Sequence, residues 1–167
     1  ITDNGISPLQ FPPLKDAAIK VNSYAHDEDG ITTEKADMVR LMTEKRQRKY
    51  EALKGEIDAL ECVKSYGTSS ARTALLCWGS TLLVCKEAAK RHGFGVIQPV
   101  VLSPFPEEQL KSVIEGTPNI ISVEENTEGQ LRLLCHQHGI PVASHIAKID
   151  GRPFSVEELD ARLGEVP

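Results

Sequence analysis

The apolar positions along the chain change their period twice. Residues 1–31 carry no sustained period. Pro8, Pro12 and Pro13 rule out a continuous helix there, so the stretch reads as an extended segment that ends in an acidic turn, His26-Asp27-Glu28-Asp29-Gly30. Over 33–62, Met38, Leu41, Met42, Tyr50, Leu53, Ile57 and Leu60 recur at spacings of three and four. That spacing predicts a long amphipathic helix with one buried and one wet face. Its apolar stripe is expected to pack against the domain that follows. Gly55 weakens the helix by about 1 kcal/mol relative to Ala without ending it. Tyr66-Gly67-Thr68-Ser69-Ser70 reads as a linker.

Beyond the linker, short apolar runs alternate with helical patterns. Strands are predicted at 73–78 (TALLCW), 95–98, 119–123 (NIISV) and 142–149. Helices are predicted at 81–92, 107–115, 127–138 and from Ser155 to about Leu163. Gly93, Gly116 and Gly139 stand where the first three should stop. Ser155-Val156-Glu157-Glu158 has the spacing of a capping box, in which hydroxyl and carboxylate each satisfy an orphan amide. The alternation predicts an α/β fold for residues 71–167: a three-layer sandwich, a mostly parallel sheet with helices on both faces. Residues 1–66, the extended segment and the long helix (about 33–62), precede it as a separate part.

Composition narrows the function. The chain has 167 residues, 40% hydrophobic and 26% charged, with a formal net charge of −5. Its one dense basic run, Lys45-Arg46-Gln47-Arg48-Lys49, is flanked by acids, which argues against nucleic acid as a partner. No apolar run approaches the ~18 residues that span a bilayer. The N-terminus lacks the basic and apolar regions of a signal peptide. It also lacks an initial Met and opens on turn residues, so the expectation is a piece cut from a longer chain. Cys62, Cys77, Cys85 and Cys135 form no CxxC pair, and reduced cytoplasmic thiols are expected.

Several strings suggest chemistry, and each has a plainer alternative. Gly79-Ser80-Thr81 follows a strand and opens a helix, so its amides could meet a phosphate; a simple helix cap is the alternative. Arg152, in Asp150-Gly151-Arg152-Pro153, is a candidate partner for a carboxylate or phosphate, or a surface Arg on a turn. His26, Asp27 and Glu28 could face a partner or hold a hard cation, but the bidentate Glu at loop spacing is missing. Cys135-His136-Gln137-His138 offers zinc ligands on one helical turn only, and zinc needs a second cluster. Lys45–Lys49 could meet phosphates, or form a solvated helix face.

Five strings, in order and over nearly the whole chain, together carry a family resemblance. They are Thr2-Asp3-Asn4-Gly5-Ile6-Ser7-Pro8; His26–Gly30 with Met42-x-x-Lys45-Arg46-x-Arg48-Lys49; Trp78-Gly79-Ser80-Thr81 with Gln98-Pro99 and Leu102-x-Pro104-Phe105-Pro106; Val123-Glu124-Glu125-Asn126 with Gly129-Gln130-Leu131; and Lys148-x-Asp150-Gly151-Arg152-Pro153-Phe154. The chain resembles the C-terminal part of the alpha subunit of 2-oxoacid:ferredoxin oxidoreductases, the 2-oxoglutarate type in particular. It departs from that family where a Gly is expected soon after the Gly-Ser-Thr turn: Leu82-Leu83-Val84 stand there instead. The match is also loose between Gly139 and Lys148.

The resemblance implies a transketolase C-terminal-like domain at 71–167, tied by residues 1–66 to a preceding pyrimidine-binding domain. Enzymes of this kind convert a 2-oxoacid and coenzyme A into acyl-CoA and carbon dioxide and reduce ferredoxin. Thiamine diphosphate, Mg, an iron–sulfur cluster and coenzyme A are implied for the whole complex, as are a beta subunit, a gamma subunit in some complexes, and ferredoxin. None of the cofactors is expected in this fragment, which has no Gly-Asp-Gly motif and no cluster-forming Cys spacing. No catalytic residue and no metal ligand is carried over. The implied role is a noncatalytic one in subunit assembly, with the coenzyme A entrance as a further part and Gly79, Ser80, Thr81 and Arg152 as contacts. His26, Asp27, Glu28, Asp150 and Arg152 are the candidate interface residues. Two other readings compete: a stand-alone α/β protein binding a nucleotide or flavin at Gly79–Thr81, and a pure interaction domain.

Overall fold

The long amphipathic pattern becomes α1, Ala36–Asp58. The computed structural model describes residues 2–13, 19–20, 23–68 and 70–166, in two compact units, 1–59 and 60–167. The expected extended segment over 1–31 and the linker at 66–70 therefore lie partly outside the described residues. Met42 and Ile57 are the buried residues of α1, while Leu41 and Tyr50 are exposed, so its buried stripe is narrower than the periodicity predicts. The helix starts after Lys35, which supplies no side-chain cap.

The Thr2–Ser7 turn lies against α1 within the first unit. Gly5 has φ +75, and a Cβ there would stand 2.7 Å from the Lys49 backbone nitrogen and closer still to the Lys45 carbonyl oxygen. Only glycine suits both the left-handed backbone and that approach. Thr2 Oγ1 donates to the Ile6 carbonyl at 2.8 Å, and Lys45 Nζ donates to Ser7 Oγ at 2.6 Å. The His26–Gly30 string is a tight hairpin: Asp27 Oδ1 accepts the amides of Asp29 (3.1 Å) and Ile31 (2.8 Å).

The second unit is built on a five-stranded sheet. Its strands are β1 (Val63–Tyr66), β2 (Thr73–Leu76), β3 (Gly95–Pro99), β4 (Asn119–Glu124) and β5 (Ser144–Ala147), in the spatial order β1-β3-β2-β4-β5. The helices are α2 (Leu82–His92), α3 (Glu107–Ile114), α4 (Gln130–Gln137) and α5 (Val156–Leu163). Strands β2 to β5 are parallel, and β1 runs antiparallel beside β3. The predicted capping box forms, with Ser155 and Glu158 each satisfying the other's backbone amide.

Alternation along the strands sorts the core into two sheets of side chains. Leu75, Cys77, Val96 and Val123 face α2 and α5, meeting Cys85, Ala88, Leu159 and Leu163. Ala74, Leu76, Ile97 and Ile120 face α3 and α4, meeting Leu110, Leu131 and Cys135. Helices thus cover both faces, as the sequence pattern predicts.

β1 corrects that reading. Residues 59–62 are not helical, and Val63–Tyr66 is an edge strand rather than the end of a helix and a linker. Val63 pairs with Pro99 and Tyr66 with Val96. The local sequence hides it because only Val63 of the four is buried, so no apolar alternation marks the strand. The pairing is made by β3, more than thirty residues on. The predicted strand at 142–149 is also shorter, Ser144–Ala147.

Candidate functional site

The order of the strands locates a crevice. From β2 the chain passes through α2 to β3 on one side, and from β4 through α4 to β5 on the other. β2 and β4 are neighbours, so their carboxyl ends part at a topological switch point, where open α/β sheets leave room for a ligand. Trp78, Gly79, Ser80 and Thr81 line one wall of the cleft there, and Glu125, Asn126 and Gln130 line the other. Residues of the third and fourth family-like strings, about fifty positions apart, thus share one cleft.

Each wall is held from beneath. Gly79 takes φ +59 to open a 3-10 turn, Gly79–Thr81, ahead of α2. Thr81 is buried and its hydroxyl donates to the Trp78 carbonyl at 2.8 Å, fixing the turn. No side-chain oxygen caps this turn or α2, so the expected plain cap is not what Ser80 and Thr81 supply. Where a family-like Gly was expected, Leu83 is exposed and Leu82 and Val84 pack against the core.

The other wall rests on Glu124, which is 0% exposed. Its Oε2 accepts the Leu131 amide (2.8 Å) and Asn126 Nδ2 (2.9 Å), and its Oε1 accepts the Arg132 amide (3.1 Å). Asn126 Oδ1 takes the amides of Gly129 (2.7 Å) and Gln130 (3.1 Å). Together they satisfy the four amides that open α4, where a negative charge is favoured by the helix dipole. Glu125 Oε1 accepts the Phe154 amide at 3.0 Å and so joins this wall to the segment before α5.

Sequence reasoning missed a second cluster beside Glu124. Ser122 and His145 are register partners on β4 and β5, and Ser122 Oγ lies 2.7 Å from His145 Nδ1. Glu124 Oε1 is 4.0 Å from the same nitrogen. Burial pushes the His145 imidazole below its ordinary value; the Glu124 carboxylate pulls it up and Arg132 pushes it down. Both the serine and the carboxylate approach one ring nitrogen, and Ser122 is fully buried, so this is not a nucleophile–base relay. The Glu-x-Asn-x-x-Gly spacing ahead of α4 points to Glu124 and Asn126 and carries no signal for Ser122 or His145.

The remaining candidates fall elsewhere. Arg152 is not among the residues lining the cleft. Its side chain is 78% exposed, and it pairs with Asp150 of its own turn through Nη2 (3.1 Å) and its backbone amide (3.0 Å). That amide, with the guanidinium, holds Asp150 below the usual carboxylate range. Lys148, only 8% exposed, reaches Glu158 at 2.6 Å and Asp150 at 3.6 Å. His26, Asp27 and Glu28 line a small cleft with Ser7, Met42 and Lys45 in the first unit. His138 Nδ1 pairs with Glu107 Oε2 at 2.7 Å and stacks on Phe105, and Cys135 is buried, so the Cys135–His138 string does not converge on one point.

Fold and cleft define a mostly parallel, three-layer α/β domain with an edge strand added in the opposite sense. The chain belongs to the pyruvate:ferredoxin oxidoreductase core domain II family, whose model matches residues 71–159. It is 34% identical, over 99% of its length, to 2-oxoacid:ferredoxin oxidoreductase 1, subunit alpha, of Sulfurisphaera tokodaii, and covers 26% of that relative. It is likewise 34% identical over 92% of its length to 2-oxoacid:ferredoxin oxidoreductase 2, subunit alpha, of Aeropyrum pernix. The chain thus spans about a quarter of the length of the curated relatives it matches. A solved 2-oxoglutarate:ferredoxin oxidoreductase from Magnetococcus marinus, with 2-oxoglutarate, coenzyme A and succinyl-CoA bound, shares the fold. Its TM-score is 0.67 at 24% identity, over 98% of this chain and 29% of that one. No helix among the described residues is long and apolar enough to cross a membrane.

Proposed function

We propose that this chain is the noncatalytic C-terminal module of the alpha subunit of a thiamine-dependent 2-oxoacid:ferredoxin oxidoreductase. One observation carries the reading: alpha subunits of that enzyme match this chain over 99% of its length while being about four times longer. The whole complex would convert a 2-oxoacid and coenzyme A to acyl-CoA and carbon dioxide and pass electrons to ferredoxin. Residues 71–167, with β1 added to their sheet, would act as the transketolase C-terminal-like domain, and the residues before β1 would tie it to a pyrimidine-binding domain. A beta subunit, and a gamma subunit in some complexes, would complete the assembly in the cytoplasm.

The donor set of this chain does not suit an iron–sulfur cluster. Cluster ligands are thiolates, but Cys62, Cys77, Cys85 and Cys135 are all buried. Cys77 hydrogen-bonding and burial push the Cys85 thiol up, and burial pushes Cys135 up to about 12. In this reading thiamine diphosphate, Mg and the cluster would be held by the rest of the complex, and residues here would take no step of the reaction. What this chain would contribute is shape: the Trp78–Thr81 and Glu125–Gln130 cleft as part of the coenzyme A entrance, and His26, Asp27, Glu28, Asp150 and Arg152 as subunit contacts. A stand-alone flavin or nucleotide carrier gains nothing from these matches.

Two measurements test the proposal. The chain should be retained by a purified beta subunit that binds thiamine diphosphate; failure of the two to associate would remove the assembly role. Calorimetry of the chain alone with thiamine diphosphate and Mg²⁺ should show no sub-micromolar site. Such a site, worth more than about 8 kcal/mol, would overturn the noncatalytic assignment.

A further inference from the structure

The switch-point cleft encloses about 300 Å³, and its lining does not suit a phosphate. Its lining residues include Glu125 and no Lys or Arg. The same wall rests on a second carboxylate, Glu124, at the cap of α4. The Gly79–Thr81 amides would have to outweigh both acids, so phosphate oxygens are disfavoured inside the cleft.

What the cleft offers is one flat apolar group facing unsatisfied polar ones. Trp78 is 38% exposed, and neither a ring nor a cation stacks on it among the described residues. Its backbone is fixed by the Thr81 hydroxyl. A Cβ on Gly79 would meet nothing within 4 Å, so the main chain beside the indole is open to a close-lying ring. On the opposite wall, Glu125 Oε1 accepts the Phe154 amide, while Oε2 makes no hydrogen bond among the described residues. The Gln130 main-chain amide is held by Asn126, but its side-chain amide makes no hydrogen bond among the described residues.

We propose that this cleft binds an adenosine group, its base stacked on Trp78 and its amine edge held by Gln130 and Glu125, with attached phosphates outside the cleft. Aromatic side chains are stacking platforms for bases. A Gln side chain pairs bidentately with the N6–H and N7 edge of adenine, and a carboxylate oxygen accepts from an exocyclic amine. Guanine carries a carbonyl oxygen in place of that amine, which Glu125 would repel. Coenzyme A and a free adenine nucleotide both carry adenosine. The first source rests on the proposed place of this cleft at the coenzyme A entrance; the second does not.

Trp78 is the one tryptophan of the 167-residue chain, so quenching of its fluorescence reports the stack directly. Adenosine and adenosine monophosphate titrated into the chain should quench it saturably. Inosine, with a carbonyl in place of the amine, should bind at least roughly tenfold more weakly. By calorimetry, Gln130→Ala should weaken monophosphate binding by about tenfold, and Trp78→Ala by about tenfold or more. No saturable quenching by either adenosine compound, inosine binding as tightly as adenosine, or both variants binding like the parent would each overturn the site. A coenzyme A titration separates the sources. Binding of the monophosphate without coenzyme A keeps the adenosine site and removes the cleft from the coenzyme A entrance. Binding of coenzyme A without adenosine or its monophosphate overturns the adenosine site and leaves the entrance reading standing. Should Trp78→Ala fail to fold, the parent titrations and Gln130→Ala decide alone.

Discussion

Glu124 Oε2 accepts the backbone amide of Leu131 at 2.8 Å, so a carboxylate with no exposed surface closes the N-terminus of α4. Replacing it with Gln keeps the shape but turns one acceptor into a donor that faces an amide. Glu124→Gln should cost about 2–3 kcal/mol, and Asn126→Ala about 1 kcal/mol. Urea unfolding at constant slope measures both. An unchanged midpoint for Glu124→Gln would show that solvent, and not this carboxylate, satisfies the helix.

Gly5 meets the backbone of α1, not a side chain that could move aside. Gly5→Ala must strain a φ of +75 and displace Lys45 or Lys49 main-chain atoms. The expected loss is about 2 kcal/mol or more in the docking of that turn. Limited proteolysis should then cut residues 2–13 faster than in the parent. Identical digestion patterns would mean that the turn is not seated on α1 in solution.

Acid should weaken the fold in two separate ranges. His145 has its folded pKa below the ordinary 6.5, so the unfolded chain binds its proton first. Stability is therefore undiminished above about 6.5 and falls as the pH drops from there toward the lower folded value. Asp150, Glu158 and Asp160 are depressed carboxylates, held mainly by the Arg152 amide, Lys148 and His92 respectively. Their contribution is present above the unfolded values and is lost only as the pH falls through the lower folded ones. Thermal melts of His145→Gln against the parent should lose the upper step and keep the lower. A parent curve that is flat between pH 7 and 5, about where imidazoles titrate, counts against it.

Within α1, burial and periodicity disagree, and mutation separates them. Ile57 is buried and Leu53 is half-buried. Ile57→Ala should cost about 2–4 kcal/mol and Leu53→Ala about half as much. Arg46 and Arg48 are exposed, and their Ala variants should change stability by less than about 1 kcal/mol. Equal denaturation midpoints for Ile57→Ala and the parent would show that the stripe is not core.

Much of the second unit was legible because its strands are continuous apolar runs and its helices end on glycine. Leu75, Val123 and Leu159 declare themselves by period alone. Glu124 could not be found that way: a Glu-Glu pair reads as solvated, and only the pleat of β4 turns its first member inward while Glu125 faces the cleft. The Ser122–His145 contact depends on β4–β5 register, which no local pattern specifies. The sequence leaves Arg152 open between a ligand partner and a surface Arg on a turn; only the folded turn shows it paired with Asp150, two residues away. Gly79–Thr81 was identified as a candidate, yet its opposite wall, Glu125 to Gln130, came only from knowing which strands are neighbours.

The antiparallel strand at the start of the second unit bears on where such a domain can be cut. The family match begins at residue 71 and so leaves out Val63–Tyr66. A chain begun there would uncover the hydrogen-bonding rim of β3 from Val96 to Pro99, a stretch whose side chains are buried on both faces. Bare apolar rims of that kind recruit further strands from neighbouring molecules. β1, with Lys64 turned to solvent and Tyr66 donating its hydroxyl to Gln98 at 3.3 Å, works as a hem that seals the sheet against self-stitching.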